Sequence, residues 1–242
     1  IARRLRSIWP GQPERHVSHE TIYLAIYAYP RGELKRQLIS YLRQADGKRR
    51  KRTQSNVRRE RYPAQLSIHL RPPEVADRLV PGHWESDLIM GANNRSAVAT
   101  MVERTSRYVI LAKLEGPTAE AAAEAIVREM SRMAPSLLKT MTHDQGSEMA
   151  RHTEITARTG MKIYFADPHS PWQRGSNENT NGLLRQYLPK GTDLSLVTQA
   201  RLDEIADLLN TRPRQTLGWK FPVEVLVDHL QFSATNKLET IN

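Results

Sequence analysis

Residues 168–191 read PHSPWQRGSNENTNGLLRQYLPKG, and the rest of the chain is organised around them. Pro168 and Pro171 stiffen a loop that carries Trp172, Gln173 and Arg174. The loop runs into a helix with Ser176 as the expected N-cap, its hydroxyl accepting an orphan backbone N–H, and with Glu178 in the first turn. Helical spacing sets Asn181, Gly182 and Arg185 on the face of Glu178 and turns Leu184, Tyr187 and Leu188 inward. A lone first-turn glutamate complements the helix dipole and is usually a surface residue. Grouped with amides and an arginine, it suits metal-assisted chemistry on a phosphate chain, with the other ligands supplied from upstream.

Upstream, Trp84–Met90 reads as a buried strand interrupted by Asp87, and a charge there is costly unless paired or metal-bound. Ala97–Glu103 and Tyr108–Leu114 form a hairpin around Arg104-Thr105-Ser106-Arg107. A helix follows from Thr118 to Met133, bracketed by Pro117 and Pro135, with Ala119, Ala122, Ala123, Ile126, Val127 and Met130 inward. Lys139–His143 is a short strand leading directly into Asp144. A helix, Arg151–Thr159, and a strand, Lys162–Ala166, precede the opening stretch. Beyond it, Ser195 is placed to cap a helix ending at Asn210, and the tail is loop plus a short helix from Pro222.

This order is three strands, helix, strand, helix, strand, helix. If strands one and four are neighbours, Asp87 and Asp144 lie side by side and the closing helix carries Glu178 across to them. Three such carboxylates repel unless cations fill the gap. Hard oxygen donors suit Mg²⁺ or Mn²⁺, and two ions about 3.5–4 Å apart would clamp the oxygens of an in-line phosphoryl transfer. Strand alternation turns His83 and His143 away from the acids, as packing residues.

Charge is uneven. The chain of 242 residues carries a net charge of +10. Residues 1–80 hold 18 Lys and Arg against 7 Asp and Glu, while residues 81–242 hold 18 against 19. Lys48, Arg49, Arg50, Lys51 and Arg52, then Arg58 and Arg59, form a basic arm suited to a phosphate backbone. Ahead of it, Ser18 caps a helix striped by Ile22, Tyr23, Ile26 and Tyr27, and a further helix spans Glu33–Arg43. With the preceding basic helix this is compatible with a helix-turn-helix, His19, Glu20 and Thr21 entering first. The expected domains are residues 1–45 (helical), 46–80 (basic linker), 81–213 (catalytic core) and 214–242 (tail). The chain contains no cysteine, which excludes disulfides and thiolate zinc sites. No signal peptide or membrane-length apolar run is present, so a cytoplasmic protein is expected. Because the chain opens at Ile1, inside a helix, a longer N-terminal region is expected too.

Gly82-His-Trp-Glu-Ser-Asp-Leu-Ile, Thr142-His-Asp-Gln-Gly and the segment from Pro168 to Asp193 together resemble the bacterial Asp-Asp-Glu transposases of the insertion-sequence-thirty family. The 33 residues between Asp144 and Glu178, the basic Arg185 seven places later, Asn210-Thr-Arg-Pro-Arg, Leu217-Gly-Trp-Lys and Val17-Ser-His-Glu-Thr-Ile-Tyr extend the resemblance over nearly the whole chain. It implies an α/β, ribonuclease-H-like core of the retroviral-integrase type: a mixed sheet flanked by helices, preceded by a small helix-turn-helix-like domain. Asp87, Asp144 and Glu178 would be the metal ligands. Cleavage would free a 3′-hydroxyl at the element's ends, and that hydroxyl would attack target DNA, through joined-end or circular intermediates. The N-terminal helices would read terminal inverted repeats, and the protein would act near the bacterial nucleoid as a homodimer or higher multimer. Trp172, Gln173, Arg174, Asn177, Asn181 and Arg185 are candidate DNA contacts, Trp172 by stacking on a base and Arg185 by holding a phosphate. A DNA-binding regulator with an inactive core and a purely hydrolytic nuclease are the alternatives.

Overall fold

The computed structural model describes residues 1–42, 62–168 and 170–239, with side chains in the last segment to Gln231. Two compact units divide the chain, Ile1–Ser55 with Pro213–Phe221 and Asn56–Arg212 with Pro222–Asn242.

The first unit contains α1 (Ala2–Ile8), α2 (His19–Ala28) and α3 (Glu33–Ser40). Ser18 Oγ accepts from Thr21 N at 2.9 Å, so the expected cap of α2 is made. No residue of these three helices is buried, and Tyr23 and Tyr27 of the expected apolar stripe remain exposed. Three short helices lack the area to enclose a core. Helix α3 stops at Ser40 rather than Arg43. Cations cover aromatic faces instead: Arg4 lies 4.3 Å from the Phe221 ring centroid and Arg15 lies 5.2 Å from that of Trp9.

The second unit opens with α4 (Glu74–Asp77), followed by β1 (His83–Met90), β2 (Ala97–Glu103), β3 (Val109–Lys113), α5 (Ala119–Met130), β4 (Thr140–His143), α6 (His152–Thr159), β5 (Lys162–Phe165), α7 (Gly175–Leu184), α8 (Gln199–Asn210) and α9 (Pro222–Glu239). The strands form one sheet in the order β3-β2-β1-β4-β5. The first three are antiparallel, and β4 and β5 run parallel to β1. Strands one and four are therefore neighbours, as the acid spacing requires.

Alternation along β1 separates two cores. Trp84 and Leu88 pack with Met101, Met141, Ile163, Ile126 and Met130 beneath α5 and α6. Ile89 packs with Val98, Val102, Leu183, Leu184, Leu202 and Leu209 beneath α7 and α8. The Trp84 indole N–H is satisfied in the core by the Leu137 carbonyl at 2.7 Å. The exposed edge of β3 is closed by side chains of α8: Asn210 pairs with both backbone groups of Val109, at 2.8 and 2.9 Å, and Gln199 receives Lys113 N at 2.8 Å. Residues 62–80 belong to the core in space, where Tyr62 stacks on Phe165 with ring centroids 3.7 Å apart and Ser67 bridges to Phe165.

Two expected caps differ. Ser176 lies inside α7, buried, and its hydroxyl accepts from Arg107 Nη1. Thr198, not Ser195, caps α8, accepting from Arg201 N at 3.2 Å, while Ser195 is itself held by Asp193. At α8 a neighbouring short polar residue took the role, whereas α7 starts after Arg174 with no side-chain cap. The tail helix is long rather than short, running 18 residues. Among the described residues no helix is long and apolar enough to cross a membrane.

Candidate active site

Asp87 shares a face of β1 with Glu85 and Ile89, and Asp144 follows β4 on the side of Thr142. Because β1 and β4 are parallel, both carboxylates emerge at the same end of the sheet and on the α7 side. Arg174, the last residue before α7, reaches between them. Its Nη1 lies 3.5 Å from Asp87 Oδ1 and its Nη2 lies 3.2 Å from Asp144 Oδ2, while Nη1 also donates to the Ser86 carbonyl at 3.0 Å.

Asp87 also accepts from Leu88 N at Oδ1 and from Asn181 Nδ2 at Oδ2, each at 3.0 Å. Burial pushes the Asp87 carboxyl above its ordinary pKa range; the Arg174 charge opposes that shift and the Asp144 charge adds to it. Asp144 Oδ1 accepts from Gly146 N at 3.2 Å, closing a tight turn.

Glu178 is exposed on α7, one helical turn before Asn181. Among the described residues no three acids or histidines are gathered closely enough to hold a metal ion. Two of the expected ligands are thus brought together, and the third stands on the helix that touches one of them. A divalent cation fits the pair on two grounds. The hard carboxylate oxygens already share a cation, the guanidinium, and Asn181 Oδ1 beside Asp87 is buried without a hydrogen-bond partner.

Several expected DNA contacts are structural. Asn177 is fully buried, not at a surface. Its Nδ2 donates to the carbonyls of Glu85 and Thr100 at 3.0 and 3.1 Å, its Oδ1 accepts from Thr100 Oγ1 at 3.1 Å, and its backbone N–H donates to Glu85 Oε2 at 2.9 Å. The primary amide is the reason: it satisfies donors and acceptors on two strands at once. Gln173 is likewise committed to Asp167, receiving its N–H and donating to its Oδ2 at 2.8 and 2.7 Å. Asn181 and Arg174 face the acids. Arg185 is half-buried and makes long hydrogen bonds of 3.3–3.5 Å to the carbonyls of Leu188 and Met90. Trp172 is 70% exposed, and His19 and Thr21 are exposed at the start of α2. Lys48, Arg49, Arg50, Lys51, Arg52, Arg58 and Arg59 lie outside the described residues.

His83 and His143 are buried packing residues, but alternation explains only one of them. His143 faces α6 and Phe165, opposite to Asp144. His83 is an even number of residues from Asp87 and shares its face; distance along β1 separates them, and His83 Nδ1 pairs with Thr140 Oγ1 at 2.9 Å. Burial lowers the pKa of His83 to about 4 and that of His143 to about 3.

Two groups escaped the reading of the sequence. Glu148 lies against Asp144, and burial first, then the charges of Asp144 and Asp87, push its carboxyl up. Its side chain folds over Gly146, where an added Cβ would collide with the carboxylate. A glycine two residues after a candidate acid was the available signal. Glu85, also fully buried, pairs with Arg104 and, through Asn177, seats the start of α7. A second acid on the face of Asp87 was its signal.

A family model described as an integrase core domain matches residues 77–171. The chain is 58% identical over 230 residues to the transposase for insertion sequence element IS1086 of Cupriavidus metallidurans, covering 95% of this chain and 68% of that protein. It is 42% identical to transposase InsI for insertion sequence element IS30A of Escherichia coli, covering 93% and 60%. It is 40% identical to the transposase for insertion sequence element IS4351 of Bacteroides fragilis, covering 86% and 63%. The chain spans about two thirds of the length of these relatives. A β3-β2-β1-β4-β5 sheet that sets two aspartates side by side, on a chain so close in sequence to these proteins, leaves one assignment: it belongs to the insertion-sequence transposases of the thirty family, and its sheet is their integrase core.

Proposed function

We propose that this chain cuts and joins DNA at the ends of an insertion sequence, using Asp87, Asp144 and Glu178 as ligands for a divalent cation, Mg²⁺ or Mn²⁺, and two such ions in the working complex. The observation that carries this reading is the pairing of Asp87, within β1, and Asp144, just past β4, across one guanidinium on neighbouring parallel strands. The metal would supply charge neutralisation at the scissile phosphate and activate the attacking oxygen.

The protein's own residues do the rest. Asn181 and the Leu88 N–H orient the Asp87 carboxylate, and the Gly146 N–H orients that of Asp144. Helix α7, pinned to β1 and β2 through Asn177, carries Glu178 at a fixed height above the sheet. Hydrolysis of one strand leaves a 3′-hydroxyl at the element end; the same site then directs that hydroxyl at a phosphodiester of the target. On this reading Trp172, which is exposed, stacks on a base, Arg185 meets a phosphate, and His19 and Thr21 enter a groove. The basic arm at 48–59 follows the backbone. A homodimer or larger assembly would hold two element ends together, on the bacterial nucleoid.

The test is a DNA-end substrate with Mg²⁺. Asp87→Asn, Asp144→Asn and Glu178→Gln are each expected to lose both nicking and joining while keeping DNA affinity, because phosphate contacts by Lys and Arg dominate binding. Asp144→Asn joining strands at the wild-type rate would remove the metal assignment. Nicking without any joined product in the wild type would leave a hydrolytic nuclease.

A further inference from the structure

Arg174 occupies an unusual place. Its side chain is only 12% exposed, whereas the carboxylate of Asp144 beside it is 43% exposed. Each terminal nitrogen is assigned to a different acid, so the guanidinium lies between the two carboxylates rather than beside the pair. One positive charge thereby serves two negative ones. Besides the acids, Nη1 donates to the Ser86 carbonyl at 3.0 Å, but Nε is buried and makes no hydrogen bond, so the head group lacks a complete set of partners.

The backbone around Arg174 is fixed on both sides. Gln173 is tied to Asp167 by two hydrogen bonds, and Asn177 ties α7 to β1. Arg174 itself has non-helical geometry, with φ −120° and ψ 38°, at the junction. Its long side chain can therefore leave the acids without either element moving.

We propose that Arg174 is an internal counter-ion: it holds Asp87 and Asp144 together by offsetting part of their mutual repulsion, and its guanidinium has to swing out before those acids accept a divalent cation. This rests on the reading of the two aspartates as metal ligands. Arg174 is on this view a positioning residue that keeps the acids assembled in the resting protein and sets a threshold for loading. A cationic side chain beside an aspartate lowers its affinity for a proton by about 1–3 pKa units, and the same repulsion acts on a metal ion. Arg174→Met, which keeps the length and removes the charge, is expected to bind Mn²⁺ about tenfold more tightly or better.

The experiment is a Mn²⁺ titration of the full chain without DNA, followed by electron paramagnetic resonance of free Mn²⁺. Wild type, Arg174→Met, Arg174→Lys and Asp144→Asn are compared, and melting is recorded with and without Mn²⁺. Arg174→Met should bind more tightly, melt below wild type in chelator and gain more on Mn²⁺ addition; Arg174→Lys should fall between. Binding unchanged or weaker in Arg174→Met, with binding still lost in Asp144→Asn, overturns the counter-ion and leaves the metal ligands standing. Wild-type binding in Asp144→Asn overturns the ligand assignment itself. Should Arg174→Met fail to fold, wild-type crystals grown with Mn²⁺ decide: a metal on both aspartates with the guanidinium displaced supports the inference, and a metal there with Arg174 still bridging both overturns it.

Discussion

Replacing Asn177 by alanine separates a DNA contact from a structural clamp. The side chain is fully buried and makes three hydrogen bonds, to the Glu85 carbonyl, the Thr100 carbonyl and the Thr100 hydroxyl. At about 1 kcal/mol net for each bond, Asn177→Ala is expected to cost about 3 kcal/mol. For a protein of this size each kcal/mol lowers the melting temperature by about 2–4 °C, so the expected drop is about 6–12 °C. The clamp joins β1, β2 and α7, and Glu178 is the next residue. Cleavage should therefore fall by more than the loss of folded protein explains, measured at a temperature where both proteins are fully folded. The assays are a thermal melt, a DNA-end cleavage rate and a DNA-binding isotherm on the same preparation. A melting temperature within about 2 °C of wild type, together with weakened DNA binding, would refute the clamp and restore Asn177 as a DNA contact.

Two further outcomes are expected. His83 is buried, and its pKa in the folded protein lies near 4 rather than 6.5. Between those values the unfolded chain takes up a proton that the folded chain does not, so stability is intact above pH 6.5 and falls as the pH drops towards 4. At 1.36 kcal/mol per unit this is about 3 kcal/mol, and His83→Gln should flatten that part of a denaturant-derived stability profile; an unchanged slope would place the acid sensitivity elsewhere. Replacing Lys48, Arg49, Arg50, Lys51 and Arg52 by glutamine should reduce the slope of log affinity for duplex DNA against log salt by up to about 4–5, and an unchanged slope would remove the arm from the interface.

The strand and helix order was legible because its signals are local. The Arg104-Thr105-Ser106-Arg107 turn between Ala97–Glu103 and Tyr108–Leu114, the alanine-rich stripe bracketed by Pro117 and Pro135, and the interrupted apolar run at Asp87 each need only neighbouring residues to be read. Boundaries were less legible where several polar residues competed for one role, as with Ser195 and Thr198 at the start of α8. Ser176 failed as a cap because the chain was already turning before it, and the half-buried Arg107 of the β2–β3 hairpin claimed its hydroxyl.

The amino-acid order alone determined the succession of strands and helices and marked Asp87, Asp144 and Glu178 as candidate acids, since these follow from periodicity and spacing along one chain; the ribonuclease-H-like fold was what the family resemblance implied, and the pairing of the first and fourth strands was supplied by the tertiary structure. Which polar side chains face DNA and which face inward was decided only by tertiary structure. Asn177, Gln173 and Arg174 carry the composition of a nucleic-acid contact, yet their partners lie as far as 92 residues away in sequence. A hydrogen-bonding side chain has no preference between a phosphate and a buried carboxylate until folding puts one of them within 3 Å.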